Sequence, residues 1–128
     1  MCYHLNLTQY NEMMENFNMT QKQRLKIAKH ILDKCYWGNT TMTPQYILSH
    51  IQNKDFAQMI FSVIFENSQD MIQDLSIIDD GVVEECIIFQ NKRLGHFKRD
   101  FLEPRLDFLI RHYGIKNAGE RRKIHTII

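Results

Sequence analysis

The stretch that decides the fold is "DFAQMIFSVIFEN", residues 55–67. Wound as a helix, Phe56, Met59, Ile60, Phe61, Val63, Ile64 and Phe65 cover nearly every side. A helix that is apolar all round belongs at the centre of a bundle, because no face of it suits water. The rest of the chain is therefore expected to pack around residues 55–66.

Working outward, the neighbouring segments carry helix signals of their own. Thr43-Pro44 reads as an N-cap and first helical residue, opening a helix to about Gln52 that turns Ile47, Leu48 and Ile51 inward. Ser68 is expected to cap a shorter helix with Met71, Ile72 and Leu75. Asp79 or Asp80 should cap the next, with Val82, Val83, Cys86 and Ile87. Upstream, Thr20-Gln21-Lys22-Gln23 is a capping-box pattern. Its helix runs to about Tyr36 with a stripe of Leu25, Ala28, Ile31, Leu32 and Cys35, and Gly38 suits the left-handed position beyond it. Thr8 can cap a helix to about Phe17. Downstream, "HFKRDFLEPRLDFLIRHYG", residues 96–114, keeps helical spacing. Pro104 either kinks one helix or opens a second, and Gly114 ends it.

The expected fold is thus all-α: one domain over residues 1–128, with six or seven short helices around the central one. Residues 115–128 form a basic C-terminal extension. The alternating ends, Tyr3 to Leu7 and Ile124 to Ile128, could pair as a small terminal β-ribbon. A length of 128 residues with 44% hydrophobic content suits a single core. No apolar run approaches the roughly 18 residues of a membrane span, and the first residues lack the blocks of a signal peptide. Cys2, Cys35 and Cys86 are odd in number and have no paired spacing, which argues against a disulfide framework or a zinc site. These features predict a cytoplasmic protein without membrane partner, metal or cofactor.

Charge is distributed unevenly. Residues 1–91 hold six Lys/Arg against eleven Asp/Glu, and residues 92–128 hold ten against four. From Asp55 to Gln90 there are eight acids and no base. Either the two halves fold onto each other, or each meets a partner of opposite sign. On the second view, Asp70, Asp74, Glu84 and Glu85 form an acidic surface able to cover a basic groove of a partner protein. Trp37 then adds an aromatic contact, although it can equally serve as a lid on the core. Arg93, Lys98, Arg99, Arg121, Arg122 and Lys123 form a basic end suited to nucleic-acid phosphates.

One pair raises catalysis. Arg105 and His112 lie seven apart, two helical turns, at the border of the stripe formed by Leu106, Leu109, Ile110 and Tyr113. An arginine can hold phosphate charge while a histidine moves the proton of a 2′-hydroxyl. The pair resembles the Arg-x4–6-His motif of the HEPN superfamily, all-α domains of about this length. That resemblance implies an RNase whose cleft lies across a homodimer interface. The polar residue that often follows the arginine in that superfamily is Leu106 here. Helix-end electrostatics also explain Arg111 and His112 without catalysis.

A second resemblance covers residues 36–115. "YWGN" before Thr43-Pro44, then "NKDFAQMIFSVIFENSQDMIQDL" and the closing "FLIRHYGI" resemble small bacterial proteins encoded beside abortive-infection-type nucleotidyltransferase toxins. No catalytic motif comes with that resemblance. It implies an antitoxin-like protein of bacterial or phage origin, acting in phage defence by binding a toxin enzyme. A non-enzymatic protein–protein interaction module is therefore the leading expectation. The RNase and a nucleic-acid binder using residues 92–125 stand as alternatives.

Overall fold

The structure is a computed structural model that describes residues 19–119. All regular structure among the described residues is helical. Six helices follow in order: α1 (Gln21–Lys34), α2 (Pro44–His50), α3 (Lys54–Asn67), α4 (Met71–Leu75), α5 (Asp80–Arg93) and α6 (Arg99–His112). The expected helix at 8–17 and the terminal β-ribbon lie outside the described residues. No helix among the described residues is long and apolar enough to cross a membrane.

The central helix is where its sequence puts it. α3 packs against α4, α5 and α6, while α1 packs on α2 and α4. Ala57, Ile60, Phe61, Ile64 and Phe65 of α3 are buried, and the rings of Phe61 and Phe65 stack with centroids 5.9 Å apart. Around them lie Ile31 of α1, Ile47 of α2, Leu75 of α4, Val83 and Ile87 of α5, and Leu106 and Leu109 of α6. Among the described residues, these neighbours do not wrap α3 completely, however. Met59 on the outer side of α3 stays 44% exposed.

Most helix ends follow their local signals. Thr20 Oγ1 accepts from the Gln23 amide at 3.2 Å, and Gln23 Oε1 accepts from the Thr20 amide at 3.0 Å, completing the capping box. Thr43 accepts from the Tyr46 amide, and Asp79 from the amides of Gly81 and Val82. At the end of α6, Ile115 N–H donates to Ile110 and Gly114 N–H to Arg111, a Schellman motif with Gly114 at φ 63°. Pro104 interrupts nothing. α6 is one helix, with the Asp100 carbonyl deprived of the amide that residue 104 would otherwise supply.

Two boundaries differ from expectation. α3 opens one residue before Asp55, because the Asn53 side chain accepts from the Phe56 amide and acts as the cap. Ser68 does not cap α4. It is fully buried, ends α3 by donating its amide to Ile64, and accepts from the Asp70 amide through its hydroxyl.

Candidate functional site

Arg105 and His112 share a helix but face different surroundings. The Arg105 guanidinium reaches back to the C-terminal end of α3. Nε donates to the Phe65 carbonyl at 2.7 Å, and Nη2 to the carbonyls of Ile64 at 3.1 Å and Ser68 at 2.5 Å. The Ile64 carbonyl also accepts the Ser68 amide, whereas those of Phe65 and Ser68 lie at the helix end, past the last amide that closes α3. His112 is exposed, lies against the Phe108 ring and meets Tyr113 edge-on. It lines a polar hollow of about 490 Å³ with Arg24, Asp80 and Glu84. The arginine that shares a hollow with His112 is thus Arg24, and two carboxylates share it too.

Asp74 corrects the expected acidic surface. It is fully buried, not exposed, since α4 turns it inward beside Leu75. Ser68 Oγ donates to its Oδ2 at 2.6 Å, and His30 Nδ1 lies 2.8 Å from its Oδ1. Burial raises its carboxyl above the usual range, against the opposing pull of the Ser68 and His30 hydrogen bonds. Asp70 and Glu84 are exposed as expected, and exposed Glu85 pairs with Lys54 at 2.6 Å. Burial pushes the thiols of Cys35 and Cys86 up to about 11 each. Both keep their protons at neutral pH, which disfavours nucleophilic use.

Trp37 is no core lid. Its side chain is 72% exposed, and its backbone is left-handed at φ 52° beside Gly38 at φ 70°. Left-handed backbone costs a residue with a Cβ about 1–2 kcal/mol. Trp37→Gly should therefore raise stability by about 0.5 kcal/mol after the larger entropy loss of glycine on folding is counted. Urea denaturation of the two proteins checks this, and a loss above about 1 kcal/mol would show that the indole packs usefully.

The basic set is partly engaged within the fold. Arg99 is half-buried, donating to Glu103 at 2.9 Å and to the Leu94 carbonyl at 3.5 Å, so it is not the exposed phosphate ligand expected of it. Arg93 and Lys98 are exposed, each beside an exposed ring: Arg93 lies 5.3 Å from the Phe89 centroid and Lys98 5.4 Å from that of Phe97. Arg121, Arg122 and Lys123 lie outside the described residues.

The most site-like feature was not expected from the sequence. A groove of about 430 Å³ runs between α3 and α5, floored by Phe61 and Cys86 and flanked by Met59 and Phe89. It adjoins a second hollow of about 210 Å³ leading to Phe97, the two sharing Ser62, Gln90 and Arg93. Phe89 is 58% exposed and Phe97 73%. The sequence carries no clear signal for it: Phe89 lies three after Cys86 and seven after Val82, the spacing of its helix's apolar stripe, and reads as core.

Among the described residues, no group of His, Cys, Asp and Glu side chains is placed to hold a metal ion. Comparison of the chain with protein-family models, curated proteins and solved structures finds no match.

Proposed function

We propose that this protein is a non-enzymatic protein–protein interaction module, antitoxin-like or regulatory, of bacterial or phage origin and cytoplasmic. The observation that carries the reading is the α3–α5 groove. Met59, Phe89 and Phe97 stay in water along one continuous furrow although the core beside them is filled. A contiguous apolar patch with a polar rim is how a surface awaiting a partner looks. From Gln58 to Phe65 the groove follows about 10 Å of helix, enough for two turns of a partner helix with anchors three or four residues apart. The surface acids Asp70 and Glu84 lie apart from this furrow and suit the rim of a basic partner such as a toxin enzyme.

Chemical cross-linking in the native host tests the reading. The wild-type chain should capture a defined protein, and a Met59→Glu, Phe89→Glu double variant should lose it by at least about tenfold, since buried aromatic anchors dominate such interfaces. Recovery of the chain alone, or equal capture by the double variant, overturns the groove as the docking surface.

A further inference from the structure

The turn between α5 and α6 carries cations and rings that reach beyond the groove of Met59 and Phe89. From Cys86 to Arg99 the chain has Lys92, Arg93, Lys98 and Arg99 and no acid. Lys92, Arg93 and Lys98 are exposed there. Within the same corner the exposed rings of Phe97 and Phe101 each have a cation alongside, Lys98 at 5.4 Å and Arg105 at 5.0 Å. Lys98 is left-handed at φ 51°, a conformation that costs a residue with a Cβ, and the turn it makes leaves Phe97 standing in water. The Asn91 amide donates to the carbonyls of Ala118 at 3.2 Å and Gly119 at 2.9 Å, which fixes residue 119 beside Lys92.

We propose that this corner binds single-stranded nucleic acid, bases stacking on Phe97 and Phe101 and phosphates meeting Lys92, Arg93 and Lys98. Flat rings interleaved with cations match a strand whose repeat is a flat base and a phosphate. An acidic protein would use the cations but has no need of a protruding ring. A duplex would meet the cations too, but its bases already stack on each other and offer no face to Phe97. The surface shares Arg93 and Phe97 with the far end of the furrow, while Met59 and Phe89 line only the groove, so the two activities separate by mutation at those two residues.

Fluorescence anisotropy with labelled oligo-uridine and oligo-thymidine of about twelve nucleotides, and a duplex of equal length, tests this. Either single strand should bind at least about tenfold more tightly than the duplex, and the tighter of the two names the natural strand. Three phosphate contacts predict roughly twentyfold weakening between about 50 and 200 mM salt. Phe97→Ala should weaken binding about tenfold with the salt dependence unchanged, whereas Lys98→Gln should make that dependence shallower. Met59→Ala, directed at partner capture, should leave oligonucleotide binding as it was. Equal binding by Phe97→Ala, equal binding of the duplex, or no binding at about 50 mM salt would each overturn the proposal. Displacement of the strand by poly-glutamate at equal charge concentration would do the same, marking the corner as a general polyanion surface.

Discussion

Arg105→Ala should destabilise the protein by about 3 kcal/mol, the largest loss expected from any charged residue outside the core. The guanidinium satisfies three main-chain carbonyls at once, those of Ile64, Phe65 and Ser68. A hydrogen bond from a charged donor contributes about 1.5–3 kcal/mol, but three from one group are not additive. The same cation also sits at the negative end of the α3 dipole. Removing it strands the Phe65 and Ser68 carbonyls in a partly buried corner where water replaces it poorly, while Ile64 keeps the Ser68 amide. Arg105→Lys should recover a minority of the loss, because one ammonium cannot span three acceptors held in a fork geometry. Equilibrium urea denaturation measures both. A catalytic arginine free of the fold would instead leave stability within about 0.5 kcal/mol when removed, so the measurement separates a structural Arg105 from an RNase one.

Asp74→Ala should cost about 3 kcal/mol as well, for a different reason. The carboxylate is fully buried and each oxygen has one partner, the Ser68 hydroxyl on one side and the His30 ring on the other. Truncation leaves the buried Ser68 hydroxyl without its acceptor and the part-exposed His30 ring without its carboxylate. Asp74→Asn keeps the shape and an acceptor while removing the buried charge, so its cost should be about 1 kcal/mol at neutral pH. The pH dependence has a definite sign. Burial raises the Asp74 carboxyl in the folded state above its ordinary value of 3.8. The folded protein then holds the proton more tightly than the unfolded chain, and the resulting stability is fully present below that ordinary value. It is lost as pH rises through the folded value. Wild type should gain on Asp74→Asn as pH falls toward 4, and the opposite trend would mean that the His30 and Ser68 bonds outweigh burial. Ser68 touches Asp74 through its hydroxyl and Arg105 through its carbonyl. The Arg105→Ala, Asp74→Ala double variant should therefore lose less than the two single losses together.

Both predictions concern residues whose setting the sequence described only in part. Arg105 was legible as a cation that needed a partner near the start of a helical run. Its acceptors lie 37 to 41 residues away, at a helix end it meets only because α6 packs on α3. Asp74 looked like one more acid in a row of eight. Nothing in that row distinguishes it from Asp70, which stands exposed four residues earlier. The difference arises because α4 presents Met71, Asp74 and Leu75 to the core together, and His30, 44 residues away, is there to meet the carboxylate.

Features settled within one or two helical turns can be read along the chain. The apolar spacing of 55–66 placed that helix at the centre, the Thr20, Thr43 and Asp79 caps started their helices, and Gly114 closed the last one. Each acts over about four residues, the reach of a helical hydrogen bond. Tertiary structure alone decided which polar groups are buried and which apolar ones stay in water. α3 is apolar all round, yet among the described residues α4, α5 and α6 leave part of its surface uncovered, and Met59 opens onto a groove. Burial is a property of how many surfaces meet at a point, and those surfaces come from segments far apart in the chain. Local pattern fixes each helix and its apolar face, and the packing of those faces decides what remains for a partner to touch.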